Sequence, residues 1–213
     1  MKKEVTSHIQ YSGWKYLAIL LLAIALWSTI FTALAQPKSD EKVSIACFVD
    51  QVDIDLLSIQ LNANKENITT QKLKEISAES ILSTDSMLSA LLATRKITSD
   101  LLIVGESSLS ADSTSSTAID PKSFVPFSQE RLEQLLSGRV ENIQFYYVEE
   151  YTVGIYLNNA DGTSDGRFGD FYNGSERCVV FFSNESVNLG ALYDVGESTN
   201  CGALDVLVYL LTN

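Results

Sequence analysis

Histidine is all but absent from this chain of 213 residues: the only one is His8. Everything after it lacks an imidazole, which excludes Ser-His-Asp and Cys-His catalysis, His-ligated zinc and His-based proton shuttling there. Cysteine is scarce too. Cys47, Cys178 and Cys201 are too few and too scattered for a zinc ribbon or a disulfide scaffold. In an exported protein Cys178 and Cys201 are the candidate disulfide, with two buried free thiols as the alternative; Cys47, inside an apolar run, reads as core. With 3 prolines and 11 glycines, collagen-like and linker-dominated architectures are ruled out.

Positive charge is the next shortage. Lysine and arginine total 15 against 27 aspartates and glutamates, a net charge of -12. Residues 1–36 hold Lys2, Lys3 and Lys15 against Glu4, a balance of +2, which leaves -14 on residues 37–213. A domain that acidic repels phosphate backbones and has no compensating basic cluster, so nucleic acid is not an expected partner. No stretch matches a catalytic, nucleotide-binding or metal signature. The expectation is therefore a non-enzymatic chain with no catalytic residue, no metal ligand and no cofactor, and ligand-binding residues stay unassigned.

What the chain does have is one long apolar run. Residues 16–35, YLAILLLAIALWSTIFTALA, carry no charge. About 20 helical residues rise about 30 Å, the thickness of a bilayer's hydrocarbon core. Trp14 and Tyr16 stand where amphipathic rings favour headgroups, and Lys2, Lys3 and Lys15 precede the run. The positive-inside rule then predicts a single-pass protein of the cell membrane, its N-terminus cytoplasmic and the rest outside. Ala33-Leu34-Ala35 before Gln36 also fits a signal-peptidase site. The run exceeds the ~7–15 apolar residues usual in a signal peptide, which favours an uncleaved anchor; both readings export the domain.

The expected organisation is a cytoplasmic tip and anchor (or signal peptide) over 1–36, a polar tether over 37–42 and a domain over 43–213. Apolar β-branched runs predict strands at 43–49, 68–76, 100–105, 142–148, 151–157 and 177–182. Helical spacing predicts helices over 50–64, with Asp53 as cap, then from Ser80 or Thr84 through Met87, Leu88, Leu91 and Leu92, over 128–138, and over 201–211. The Ser/Thr-rich stretch 107–120 reads as an exposed loop, and the Asn-, Asp- and Gly-crowded 158–176 as a long hairpin loop. Alternating strands and helices in the first half imply an α/β (or α+β) domain, a mixed sheet covered by helices.

Three constellations stand out. Asp161, Asp165 and Asp170 alternate with glycines in calcium-loop fashion, but Thr163 and Tyr172 occupy ligand positions, and Asp-Gly pairs make turns. Asp50, Asp53, Asp55 and Glu106 fall near the carboxyl ends of the first and third strands, where open α/β sheets bind ligands; alternatively the aspartates cap and solvate a helix. Tyr146, Tyr147, Tyr151, Tyr156 and Tyr172 either line a cleft or cover sheet faces.

The segments VSIACFVDQVDIDLLSIQLNAN, TSDLLIVGE and VVFFSNESVNLG with ALDVLVYLL together resemble an extracellular solute-binding protein domain, in reduced form. The lysine-flanked anchor followed by a compact domain resembles small membrane-anchored extracytoplasmic proteins of Gram-positive bacteria. The resemblance implies a fold class and a compartment and carries over no binding residue; a second lobe and a lipobox are lacking. The expected function is that of an exported domain that binds a small ligand or a partner protein at the cell surface. The alternatives are an accessory subunit of a membrane complex or, if the run is cleaved, a secreted binding protein.

Overall fold

A computed structural model describes residues 2–81, 97–110, 118–136, 138–193 and 199–213, without the side chains of 2–12, 33 and 35. The chain divides into two units, residues 1–37 and 38–213.

The first unit is one helix, α1 (Lys2–Ala35). Its Gly13–Thr32 stretch, with mean hydropathy 1.8 and nothing buried, is long and apolar enough to cross a membrane. The Thr29 and Thr32 hydroxyls donate to the carbonyls of Leu26 and Ser28 at 2.9 and 2.7 Å, so neither is left unsatisfied in an apolar surrounding.

The second unit is an α/β domain on one six-stranded sheet, in the order β2-β1-β3-β6-β5-β4. Its elements are β1 (Lys42–Phe48), α2 (Ile54–Ile68), β2 (Glu75–Ser80), β3 (Leu101–Gly105), α3 (Gln129–Leu136), β4 (Phe145–Val148), β5 (Tyr151–Tyr156), β6 (Cys178–Phe182) and α4 (Gly202–Leu211). Strand β1 runs parallel to both β2 and β3, whereas β6, β5 and β4 continue the sheet antiparallel. The mixed sheet and its helical cover are those the alternation implied. The expected helix through Met87, Leu88, Leu91 and Leu92 lies outside the described residues.

Alternation along the central strands builds two layers. On one face Ile45, Cys47, Leu101, Ile103, Val180 and Phe182 meet Leu57 and Leu61 of α2, Leu132 and Leu136 of α3, and Leu204 and Leu207 of α4. On the other, Ala46, Phe48, Leu102, Val104, Val179 and Phe181 pack under Ile81, Ile97, Ile119 and Phe124, with Phe124 stacked on Phe181 at 3.8 Å.

The second strand sits further along the chain than its β-branched start suggests. Helix α2 runs on to Ile68, which joins Leu57 and Leu61 against the core, and Thr69 caps it by donating its N–H to the Lys65 carbonyl. Burial of a continuing apolar stripe outweighs the β propensity of Ile68-Thr69-Thr70. The Asn62 amide then brackets β2, donating to the Ile76 carbonyl and accepting its N–H at 3.0 Å.

Strand β5 carries a bulge. Tyr146 pairs with Gly154 and Tyr147 with Thr152, so Val153 is the extra residue. One inserted residue flips the pleat: Val153 faces the second layer while Ile155, two positions on, faces the helices.

Two polar ties hold the periphery. Asp205 of α4 pairs with Arg139 at 2.5 Å and accepts from the Thr69 hydroxyl at 2.5 Å, joining the ends of α2 and α3 to α4. At the amino ends of the strands, Asp100 accepts from the Ser44 N–H and hydroxyl at 2.7 and 2.9 Å and from Asn188 at 3.0 Å.

All three cysteines are free thiols, and the pair Cys178 and Cys201 is not joined. Topology keeps them apart. Cys178 lies opposite Gly105 at the carboxyl end of β3, whereas Cys201 precedes Gly202, which packs on Val43 at the amino end of β1. Some six residues of strand, about 20 Å, separate those levels.

Candidate functional site

Strand order 2-1-3 places a topological switch point between β1 and β3, and the crevice beyond their carboxyl ends is where open α/β sheets take ligands. Here the chain fills that crevice itself. Beyond β1, Gln51 turns with φ 68°, its carbonyl accepts the Asn173 N–H at 3.1 Å, and Val52 bridges Tyr172. The Asp53 N–H donates to the Phe171 carbonyl at 2.8 Å. At the end of β3, the Glu176 carboxylate occupies the space a side chain at Gly105 would need and accepts the Ser107 hydroxyl at 2.6 Å and its N–H at 3.2 Å. The β5–β6 loop is thus strapped across the switch point.

The four acids near these strand ends do not converge. Asp53 caps α2, accepting the Leu56 N–H at 2.9 Å, and Asp55 lies in the first helical turn. Asp50 is exposed. Glu106, one pleat beyond Gly105, faces the other layer and meets Tyr156.

That meeting is the centre of a polar cluster built from several strand ends. The Tyr156 hydroxyl donates to Glu106 at 2.9 Å. The Arg177 guanidinium lies 3.3 Å over the Tyr156 ring, a cation–π contact. Arg177 also donates to the Gln144 side-chain oxygen at 2.5 Å, and Tyr146 meets Tyr156 edge-on at 5.7 Å. Four strand ends supply these groups: Gln144 precedes β4, Tyr156 ends β5, Arg177 precedes β6 and Glu106 follows β3. The Arg177 Nε is buried without a partner. Burial, with the hydrogen bond to Glu106 second, pushes the Tyr156 phenol up to about 12, so it stays a neutral donor. Burial also pushes the Cys47 and Cys178 thiols to about 12, far from the thiolate a nucleophile needs.

Beside Gln144 and Tyr156 opens a shallow cleft of about 250 Å³, also lined by Asn142, Asn159 and Asp165. Gln144 reaches Asn159 at 3.4 Å and Asn159 reaches Asp165 at 3.5 Å, both loose contacts. Asn158, by contrast, is fully used, donating to the Gly162 and Glu176 carbonyls and accepting the Cys178 N–H at 2.7 Å.

Of the calcium-like aspartates, Asp161 works as a turn former. Asp161 accepts the Thr163 hydroxyl at 2.6 Å and its N–H at 3.0 Å, which holds its carboxyl below the usual carboxylate range. Among the described residues no three metal-ligating side chains converge. The tyrosines separate likewise: Tyr146 and Tyr156 share one face, and Tyr172 stacks on Phe168 in the opposite layer. Tyr147 and Tyr151 stand in solvent, 53% and 61% exposed.

Gln144 and Arg177 of this cluster, and Glu176 of the strap, are not singled out by any sequence motif. The one available signal is Arg177 itself, a lone cation abutting the apolar strand CVVFF in a strongly acidic chain. Comparison with family models, with characterised proteins and with solved structures finds no match for this chain.

Proposed function

We propose that this chain is a single-pass protein of the cell membrane that displays an acidic, non-enzymatic binding domain outside, and that what it binds is another protein. The observation that carries the reading is the filled switch point. Where an open sheet would admit a small ligand, Glu176 and the β5–β6 loop occupy the crevice, while exposed tyrosines remain along the outer strands. Tyrosine supplies large contact area at low entropic cost, which suits protein recognition. The orientation rests on Lys2, Lys3 and Lys15, and retention of the anchor on an apolar stretch longer than a signal peptide uses.

The test is a photo-crosslinking residue placed in full-length protein in intact cells, at Tyr147 in one variant and at Asn184 in another. A discrete protein adduct from Tyr147 and none from Asn184 is expected. Absence of a Tyr147 adduct, or equal adducts from both positions, removes the reading. A second reading, a small polar ligand beside Gln144, is favoured by the buried, unpartnered Arg177 Nε. It predicts that Gln144→Ala changes ligand binding and leaves Tyr147 crosslinking untouched.

A further inference from the structure

We propose that the free edge of β4 is a docking strand for an extended, lysine- or arginine-bearing segment of a partner protein, which adds to the sheet as a seventh strand. The inference rests on the reading of the domain as a protein-binding module and names the partner's chemistry.

The two edges of this sheet are built differently. Edge β2 is defended: the N–H and C=O of Ile76 are taken by the Asn62 side chain, as a neighbouring strand would take them. The Lys65 ammonium caps the Lys74 carbonyl at 2.9 Å, and Glu75 and Glu79 place charge along the strand. Those are devices that stop an edge from pairing.

Edge β4 has none of them. Its residues are Phe145, Tyr146, Tyr147 and Val148, aromatic and β-branched, with no lysine and no proline. The Gln144 carbonyl accepts the Tyr156 N–H at 2.8 Å, so by alternation the N–H and C=O of Phe145 point away from β5. Among the described residues no group of another element bonds them. A strand with those groups open and large side chains beside them is a template for strand addition, in which main-chain bonds give affinity and alternate side chains give selectivity.

Charge selects the occupant. Glu141 precedes β4, and Glu149 and Glu150 follow it. Lys122 holds Glu149 at 2.6 Å; Glu141 and Glu150 make no ion pair among the described residues. A second copy of the chain would bring another -14 on its residues 37–213 and the same glutamates to the same edge, an arrangement like-charge repulsion opposes. A basic segment meets the opposite field and can set its cations beside Glu141 and Glu150.

The experiment uses the full-length protein in uncharged phosphatidylcholine nanodiscs, with amide hydrogen exchange read at residues 145–148. The probes are a nine-residue peptide alternating lysine with valine, a version with proline at every second valine, and a glutamate–valine counterpart. The lysine–valine peptide is expected to slow exchange at Phe145 at least tenfold, the other two to leave it unchanged, and Tyr147→Lys to abolish the protection. No protection by the lysine–valine peptide overturns the proposal. Equal protection by the proline version does so too, because it reports adhesion without strand pairing. Protection without peptide that fades on dilution makes a second copy the occupant and overturns it as well. If these fail while the Tyr147 crosslink in cells persists, the binding reading stands and only the strand-addition mode falls.

Discussion

The environment of single residues makes this domain sensitive to alkali. Burial raises the Cys47 and Cys178 thiols and the Tyr156 and Tyr172 phenols to about 12. In the unfolded chain these groups titrate near ~8.5 and ~10. A folded pKa raised above its unfolded value means the folded form keeps protons that the unfolded form has shed. The stabilisation is intact below pH ~8.5 and drains away between there and about 12. Urea midpoints of the full-length protein in micelles should therefore fall steadily from pH 8.5 to 11.5. Absorbance titration should show some of the 9 tyrosines still un-ionised at pH 11.5. A flat midpoint across that range would show the four groups to be open to solvent. Little of this residue-level picture was legible beforehand. Cys47 announces its burial by sitting in VSIACFV, but the Arg177–Tyr156–Glu106 contact joins residues from three strand ends, and only the strand order brings them together.

At the scale of elements, two glycines separate packing from closure. A Cβ at Gly154 would lie 2.7 Å from the Val180 carbonyl and 2.8 Å from a Val179 methyl, rigid atoms of the neighbouring strand. Gly154→Ala is therefore expected to cost about 1–3 kcal/mol by overpacking, seen as a lower urea midpoint. At Gly105 the obstacle is only the Glu176 carboxylate, the far end of a flexible side chain. Gly105→Ala should displace the strap at a cost of roughly 0.5–1.5 kcal/mol in lost hydrogen bonds and speed exchange of the Ser107 amide, the rest of the sheet staying protected. Equal global destabilisation by both would mean the strap belongs to the core. A third element-level device is Asp205: Asp205→Asn removes the charge shared by Arg139 and Thr69 and should cost about 1–3 kcal/mol, with opening localised where α2, α3 and α4 meet. The central strands and the terminal helix were legible because their apolar runs are buried on one or both faces. The start of β2 was not, since Ile68-Thr69-Thr70 has strand composition and is decided by the packing of α2. The bulge at Val153 was not read either, although Gly154 beside it, a lone glycine inside a β-branched and aromatic run, is the kind of residue that marks one.

For the molecule as a whole, the deciding physical contrast is between an apolar helix and an acidic domain. Gly13–Thr32 exposes Leu17, Ile19, Leu20, Leu21 and Leu22 together with Trp27 and Phe31, a surface that water does not tolerate on a lone helix. Its lysines lie on the N-terminal side, and the -14 of residues 37–213 follows it. If the helix is a retained anchor, the protein recovered from membranes of expressing cells should have the full mass of 23.4 kDa and resist extraction at high salt, since hydrophobic insertion is not screened by ions. Protease added outside intact cells should remove the domain and leave a membrane-protected fragment containing the N-terminal lysines. A mass beginning at Gln36, with protein released into the medium, would show that Ala33-Leu34-Ala35 is cut. A β4 partner would then have to be met by a diffusing domain, at bulk concentration instead of the raised effective concentration that attachment to a shared membrane supplies.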